Sequence, residues 1–184
     1  MSGADHRHRW PTGSVFLLTG RPGVGKTTVI CALADHLSDL HVAGFWTDEI
    51  RAAGERTGFR LRTFGGEERV IASVRFGGGP RVGKYGVDVA AIDTLAARAL
   101  AGSDVELYLV DEIGRMECLS AVFVGAMRAV LGSGRLVVAS VALKGPGLIS
   151  ETRRWPGARL WQVSRENRDA LPAEIARAVR DSLK

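Results

Sequence analysis

Residues 20–27 have the sequence Gly-Arg-Pro-Gly-Val-Gly-Lys-Thr, and they constrain the fold more than any other part of the chain. The run matches the pattern G-x-x-x-x-G-K-[ST], whose glycines let the backbone curve closely around an anion. An apolar run of strand length, residues 15–18, precedes it, and residues 28–37 follow it with the apolar spacing of a helix. Strand, glycine loop and helix therefore come in the order that a phosphate-binding loop (P-loop) requires.

The residues of this loop have separate expected roles. Successive N–H groups at the start of a helix bind phosphate oxygens, because the positive end of the helix dipole lies there. The Lys26 ammonium would reach the β- and γ-phosphates of a nucleotide, and the Thr27 hydroxyl would ligate Mg²⁺. We therefore predict a nucleotide-binding segment made of Gly20, Arg21, Pro22, Gly23, Val24, Gly25, Lys26, Thr27 and Thr28.

Two acidic residues, Asp111 and Glu112, directly follow the apolar run at residues 107–110, in a predicted strand that begins at residue 105. Open α/β sheets bind ligands at the carboxyl ends of their strands, so an aspartate there can hold Mg²⁺ opposite the Thr27 hydroxyl. Glu112 can deprotonate a water for attack on the γ-phosphorus. Acids at this position also serve as helix caps or solvated loop residues, but a P-loop in the same chain favours the metal and base roles. Thr27 and Asp111 are thus the predicted metal ligands, and Lys26 and Glu112 are predicted catalytic residues.

A further cation is expected, because negative charge develops on the phosphoryl group as it is transferred. Arg115, just past the two acids, is our first candidate and is included among the predicted catalytic residues. Lys84, Arg21 and Lys144 are the other candidates. For each of them, a position on the surface or in a salt bridge is the alternative interpretation.

Strand-like and helix-like segments alternate along the chain, which predicts an α/β fold with a mainly parallel central sheet flanked by helices. At about residues 42–88, short runs with period-two alternation are separated by glycine turns, which predicts an inserted antiparallel meander. A single domain over residues 14–184 would follow a disordered basic tail at residues 1–13. The predicted helices cover residues 28–37, 89–99, 119–130, 149–155 and the chain from residue 172 onward.

Composition limits the partners. The formal net charge is +5 and the pI about 9.8, but no run of basic residues is longer than two, which disfavours nucleic acid as a ligand. No apolar run approaches the ~20 residues of a membrane span, and the N-terminus is too polar for a secretory signal, so we expect a cytoplasmic protein. The two cysteines are far apart, and no CxxC pattern supports zinc or a disulfide framework. We expect a monomer or a weak oligomer.

With these residues identified, the chain resembles the THEP-type nucleoside-triphosphatase family, which includes thermophilic triphosphatases and their cancer-related vertebrate relatives. The resemblance extends from about residue 15 to residue 175. Beside the P-loop, it depends on four stretches: residues 44–51 (Gly-Phe-Trp-Thr-Asp-Glu-Ile-Arg), 83–89 (Gly-Lys-Tyr-Gly-Val-Asp-Val), 111–117 (Asp-Glu-Ile-Gly-Arg-Met-Glu) and 167–169 (Asn-Arg-Asp). Together they are much more specific than the P-loop alone.

The resemblance implies a RecA-like fold and hydrolysis of several nucleoside triphosphates to diphosphate and phosphate, with loose base preference. It implies metal binding by Asp111 and water activation by Glu112. Asn167 and Arg168 precede the last helix, where they are hypothesised to contact the nucleotide base. The family often has lysine at the position of Arg115, and an arginine there has a planar fork and a different reach.

The expected function is therefore Mg²⁺-dependent hydrolysis of ATP, GTP and other nucleoside triphosphates. Two alternatives stay open. A kinase-like phosphotransferase would move the γ-phosphate to a nucleoside or another small acceptor. A nucleotide-switched binding module would bind the triphosphate tightly and turn it over only with a partner.

Overall fold

The computed structural model describes residues 15–184 and contains one nine-stranded sheet with helices on both faces. The tail predicted at residues 1–13 lies outside the described residues. In chain order the elements are β1 (Val15–Thr19), α1 (Lys26–His36), β2 (Val42–Ala52), β3 (Glu55–Thr63), β4 (Glu68–Ser73), β5 (Arg81–Val82), β6 (Tyr85–Val87), α2 (Val89–Ala99), β7 (Leu107–Ile113), a 3₁₀ helix (Glu117–Leu119), α3 (Ala121–Leu131), β8 (Leu136–Val141), α4 (Leu148–Arg153), β9 (Arg159–Gln162) and α5 (Leu171–Asp181).

The strands follow the order β5-β6-β4-β3-β2-β7-β8-β1-β9. From β2 to β9, every neighbouring pair is parallel, whereas β3, β4, β5 and β6 join through antiparallel pairs. The α/β class with parallel strands and an antiparallel meander is thus confirmed. The meander does not form a separate layer but extends the same sheet.

Strand β2 belongs to both parts of the sheet. Its first residues, 42–45, pair in parallel with β7, and the rest of the strand pairs only with β3. We use "parallel half" for residues 42–45 together with β7, β8, β1 and β9, and "meander" for residues 46–87. Because β2 continues beyond its last pair with β7, the β2–β3 hairpin extends past the carboxyl edge of the parallel half.

The two faces of the sheet bury separate apolar clusters. One face packs against α2 and α3 around Phe45, Leu95, Phe123 and Met127. The other face packs against α1 and α5 around side chains such as Phe16. Buried on both faces, β1, β7 and β8 have the nearly continuous apolar runs expected of parallel strands.

Local sequence explains where several helices begin. The Asp88 carboxylate accepts a hydrogen bond from the N–H of Ala91 over 2.9 Å, and the Ser120 hydroxyl accepts one from Phe123 over 2.8 Å. Pro172 occupies the first turn of α5, where its missing N–H has no intrahelical partner to lose. Helix α3 begins at Ala121, two residues after the predicted start, because Leu119 lies in the 3₁₀ helix before the Ser120 cap.

The junction of the two halves depends on a glycine. Gly44 has φ +117°, and a Cβ built there would lie 2.0 Å from the carbonyl oxygen of Leu109 on β7. Only a residue without a Cβ allows β2 to approach β7 this closely.

Within residues 15–184, no helix is both long and apolar enough to cross a membrane. Cys31 and Cys118 are free thiols. Burial raises the pKa of Cys31 to about 11 and that of Cys118 to about 12, so both are protonated at neutral pH.

Candidate active site

The predicted P-loop connects β1 to α1. Gly25 is the N-cap of α1 in the left-handed region, with φ +112°, and no side chain caps this helix. The first helical hydrogen bond runs from the Val29 N–H to the Gly25 carbonyl over 3.0 Å. The N–H groups of the residues between them therefore precede the helical ladder and point out of the helix end. This is an arrangement that binds anions.

Lys26 lies inside the loop rather than on its surface. Lys26 is 8 % exposed, and its Nζ donates a hydrogen bond to the Gly20 carbonyl over 3.4 Å. This hydrogen bond holds the ammonium across the loop, near the N-terminal end of α1. A buried cation with one long hydrogen bond is well suited to receive a phosphate oxygen.

The Asp111 carboxylate joins the loop to two neighbouring strands. The Thr27 hydroxyl donates to Asp111 Oδ2 over 2.6 Å, and the Ser140 hydroxyl at the end of β8 donates to Oδ1 over 2.7 Å. Asp111 is 1 % exposed and Ser140 fully buried. The structure therefore brings together the two residues predicted as metal ligands and adds a second hydroxyl, that of Ser140, which sequence reasoning missed.

Burial governs the electrostatics of Asp111. Removal from water raises the pKa of its carboxyl, whereas the Thr27 and Ser140 hydroxyls, the Lys26 ammonium and a backbone N–H of Thr47 act in the opposite direction. Each oxygen of the carboxylate accepts a hydrogen bond from a hydroxyl group. Among the described residues, no arginine or lysine forms an ion pair with Asp111. A buried carboxylate of this kind can accept a metal cation as its counter-charge.

Glu112 follows at the same edge and is half-buried. The pairing of β7 with β8 is irregular between Val110 and Ile113, and the Asp111–Glu112 peptide bond is cis. Burial raises the pKa of Glu112, the Lys26 ammonium lowers it, and the Asp111 carboxylate raises it. An acid with a raised pKa near the lysine of a P-loop has the properties of a general base.

Four cations were candidates for the developing charge, and the structure separates them. Arg21 is exposed on the P-loop, Arg115 is exposed beyond β7, and Lys144 is exposed on the segment that follows β8. These three lie at the carboxyl edge of the parallel half. Lys84 lies at the opposite side of the sheet, in the turn between β5 and β6, where its Nζ is 5.7 Å from the centre of the Tyr85 ring.

A fifth cation, Arg153, reaches the base of the P-loop. From α4 its Nη1 donates to the Thr19 hydroxyl over 3.1 Å, and that hydroxyl donates to the Val141 carbonyl over 3.2 Å. Nothing in the local sequence distinguishes Arg153 from Arg154 beside it, so only the packing of α4 could have identified it. Ser140, by contrast, is detectable as a polar residue near the end of an apolar strand.

The segment before α5 contacts the loop through Arg168. A Cβ built on Gly25 would lie 2.9 Å from Arg168 Cδ and 3.5 Å from its Nη1, so this side chain crosses directly over the P-loop. Asn167 is used differently: its Oδ1 accepts from the Ser164 N–H over 2.8 Å, and its Nδ2 donates to the Gln162 carbonyl over 2.9 Å. Asn167 therefore holds the turn that presents Arg168.

The residues at this edge also fit a magnesium ion. Among the described residues, no group of three or more His, Cys, Asp or Glu side chains could hold a metal. Mg²⁺ does not require such a group, because it takes one or two carboxylates and completes its shell with phosphate oxygens and waters. The Thr27 hydroxyl and the Asp111 carboxylate are hard oxygen donors of the required kind, on the phosphate side of the loop.

Fold and loop together place the molecule in one class, the P-loop proteins of α/β architecture, in which a glycine loop joins a central strand to a helix. A family model described as NTPase matches residues 15–176. The chain belongs to this NTPase family.

The relatives agree with this placement. "Nucleoside-triphosphatase THEP1" of Thermotoga petrophila is 37 % identical over 162 residues, covering 87 % of this chain and 89 % of the relative. The human "Cancer-related nucleoside-triphosphatase" is 34 % identical over 184 residues, covering 91 % and 97 %. The crystal structure of THEP1 from Aquifex aeolicus matches with a TM-score of 0.79 at 35 % identity, covering 87 % of this chain and 95 % of that one.

Proposed function

We propose that this protein is a Mg²⁺-dependent nucleoside-triphosphate phosphohydrolase that converts an NTP and water to the diphosphate and phosphate. The observation that carries the proposal is the 2.6 Å hydrogen bond between the Thr27 hydroxyl and Asp111. It joins the phosphate-binding loop to the acidic end of β7 at a single point. The names of the relatives, which describe nucleoside-triphosphatases, support the same reaction class.

Phosphate binding would fall to the loop. The N–H groups at the start of α1 would donate to the phosphate oxygens, and Lys26 would exchange its long bond to the Gly20 carbonyl for a charge-assisted one to the β- and γ-phosphates. Since Lys26 is buried, this exchange takes place in a poorly hydrated site, where electrostatic interactions are stronger than in water.

Metal binding would fall to Thr27 and Asp111, with Ser140 holding the second carboxylate oxygen in place. When bound, Mg²⁺ would neutralise charge on the β- and γ-phosphates.

Water activation would fall to Glu112. The side chain is half-buried beside Asp111, and burial raises the pKa of its carboxyl, which makes the carboxylate a stronger base. Glu112 directly follows Asp111, the proposed metal ligand, near the carboxyl end of β7, so its carboxylate would face the γ-phosphate. Arg115, which is exposed at the same edge, would stabilise the negative charge that develops on the transferred phosphoryl group.

The base would lie near Arg168. A planar guanidinium stacks on any nucleobase without reading its hydrogen-bonding edge. The amide of Asn167 is already bonded to two backbone groups and would contribute by holding Arg168 in place. Loose preference among ATP, GTP, CTP and UTP is the expected consequence.

The test follows the γ-phosphate of four labelled triphosphates, with Mg²⁺ or with excess EDTA. Wild type should release free phosphate from all four, and EDTA should abolish release. Glu112→Gln should bind NTP normally but turn it over about 10²-fold more slowly, the scale of lost general-base catalysis. Glu55→Gln, at the exposed start of β3, is the matched control and should behave as wild type.

Other outcomes would decide against hydrolysis. Label recovered on an added nucleoside would identify a phosphotransferase. Tight binding with intact triphosphate would identify a nucleotide-switched module. Full turnover in Glu112→Gln would leave hydrolysis as the function but would exclude Glu112 as the general base.

A further inference from the structure

Glu117 is a buried carboxyl group that the proposed reaction does not use. It opens the 3₁₀ helix after β7 and is 5 % exposed. Lys and Glu are almost never buried without a partner, so a buried glutamate requires an explanation.

The Glu117 carboxyl and the Glu112 side chain both lie close to Gly114. A Cβ built on Gly114 would lie 2.8 Å from Glu117 Oε2, 3.3 Å from Glu112 Cγ and 3.4 Å from Glu112 Cδ. The Glu117 carboxyl therefore occupies the space that a side chain at position 114 would fill, and the Glu112 side chain borders the same space. Any larger residue at this position would push them apart.

The surroundings of Glu117 favour its neutral form. Burial raises the pKa of Glu117 to about 8, and the carboxylates of Glu112 and Asp111 act in the same direction. Backbone N–H groups of Gly114 and Glu117 act in the opposite direction. At neutral pH the side chain is thus largely protonated and can lie against Glu112 without repelling it.

Among residues 15–184, no arginine or lysine acts on the pKa of Glu117, and the charged groups of the two helices packed around it are engaged elsewhere. On α2, Asp93 accepts a hydrogen bond from the Ser120 hydroxyl. On α3, Arg128 is paired with Glu151 over 2.8 Å.

We propose that Glu117 is a positioning residue, whose buried side chain fills the space beside Gly114 and holds the Glu112 carboxylate in the orientation needed to activate water. This inference rests on the proposed function, since it concerns the residue that acts there as general base. Glu117 itself would touch neither the phosphate nor the water.

The experiment compares Glu117→Gln, Glu117→Leu and Gly114→Ala with wild type and Glu112→Gln in steady-state NTP hydrolysis. Gln has the shape of the protonated acid, so Glu117→Gln should keep kcat at pH 7. Leu cannot accept the hydrogen bonds from the backbone N–H groups of Gly114 and Glu117 that hold the carboxyl of Glu117 in place, and the added methyl of alanine separates the two carboxyls. Both variants should lower kcat about tenfold or more while leaving KM nearly unchanged, because a misplaced catalytic group slows chemistry without weakening binding.

A pH profile provides a second readout that a merely structural role would not move. Wild type should lose kcat as the pH rises past about 8, where Glu117 ionises beside Glu112. Glu117→Gln should not show this decline. Gly125→Ala on α3, where an added Cβ meets nothing within 4 Å, is the control for glycine replacement and should match wild type throughout.

The two proposals fail in distinguishable ways. Wild-type kcat in Glu117→Leu, beside an inactive Glu112→Gln, would overturn the positioning role alone. A rise in KM equal to the fall in kcat, or a Glu117→Gln variant as slow as Glu117→Leu, would also overturn it. Full turnover in Glu112→Gln would overturn the base assignment and this inference with it.

Discussion

In the parallel half and the segment that follows it, Asp111, Glu112 and Glu117 lie in poorly hydrated surroundings, and burial raises the pKa of each carboxyl. In the meander, Glu49 lies on the surface, where hydrogen bonds from Arg56 and Arg51 lower the pKa of its carboxyl. The pKa values of carboxyl groups are therefore shifted in opposite directions in these two regions of the molecule.

Buried and exposed acids differ in their cost to the fold and in their use. Buried acids without cationic partners destabilise the folded state, and they concentrate where a ligand supplies the missing charge. Exposed ion pairs of the meander are screened by water and contribute little individually. The parallel half is thus organised for chemistry, and the meander extends the sheet with a surface of arginine pairs.

Replacing the P-loop lysine should give the largest effect. Lys26→Met should lower kcat/KM for ATP by about 10³-fold, because the buried ammonium is the main positive charge near the phosphates. Arg60→Met is the control in the meander, where the guanidinium pairs with Glu68 over 3.2 Å at the surface. Comparable losses in both variants would end the distinction between the two halves.

The glycine at the junction should come next. Gly44→Ala should lower the free energy of unfolding by about 3 kcal/mol or more, since the new Cβ would clash with the Leu109 carbonyl at a positive φ. Gly54→Ala in the hairpin turn also has a positive φ, of +81°, but nothing within 4 Å. It should lose only about 1 kcal/mol by strain. Urea unfolding measures both, and equal losses would mean that close approach is not the cause.

Stability should respond to pH in opposite directions in the two halves. A glutamate with its pKa raised to about 8 stabilises the fold at low pH and loses this contribution as the pH rises toward 8. Wild type should therefore become less stable than Glu117→Gln between about pH 4.5 and 8, by up to about 1.4 kcal/mol per pH unit.

Glu49 has a lowered pKa, so its contribution is present above the unfolded value and is lost as the pH falls through the folded one. Glu49→Gln should differ from wild type at neutral pH and converge with it in acid. Thermal unfolding of the three proteins from pH 3 to 9 provides the comparison, and parallel curves would contradict it.

Removal of the Ser140 hydroxyl, which donates to Asp111, should have a moderate effect on stability. Ser140→Ala should lower the free energy of unfolding by about 1–3 kcal/mol, because one oxygen of a buried carboxylate loses its donor. Ser150→Ala, whose hydroxyl bonds the Gly147 carbonyl at the surface, is the control and should change stability by less. Mg²⁺ binding, followed by calorimetry with a non-hydrolysed nucleotide, should weaken only in Ser140→Ala.

An ion pair of the meander should have the smallest effect. Glu68→Gln removes the charge that pairs with Arg60 at 3.2 Å and Arg62 at 3.0 Å; Glu68 is exposed, and the two arginines are partly exposed. The expected loss is below about 1 kcal/mol, and it should shrink in 1 M salt. A larger loss that persists in salt would show that the meander contributes more than its exposure suggests.

Much of the fold was predictable because its signals are local. The P-loop glycines, the apolar runs of β1, β7 and β8, and the period-two pattern of the meander depend only on neighbouring residues. The same holds for the order of the loop and of Asp111 and Glu112 along the chain. Arg115, Asn167 and Arg168 stay predictions, although Arg168 does lie over the loop.

Other features of the site join residues far apart in sequence, and no local pattern encodes such pairs. Ser140 reaches Asp111 because β8 lies beside β7, and Arg153 reaches Thr19 because α4 packs against β8, the neighbour of β1. Burial of Glu117 depends likewise on the packing of the 3₁₀ helix against β7.

By itself, the sequence determined that this protein has a glycine loop of the P-loop pattern and a strand that ends in two acids, since backbone freedom and apolar periodicity are properties of short segments. Only the tertiary structure decided which side chains surround those acids. The reason is physical: burial and the resulting shifts in pKa depend on every atom packed nearby, whatever its position in the chain.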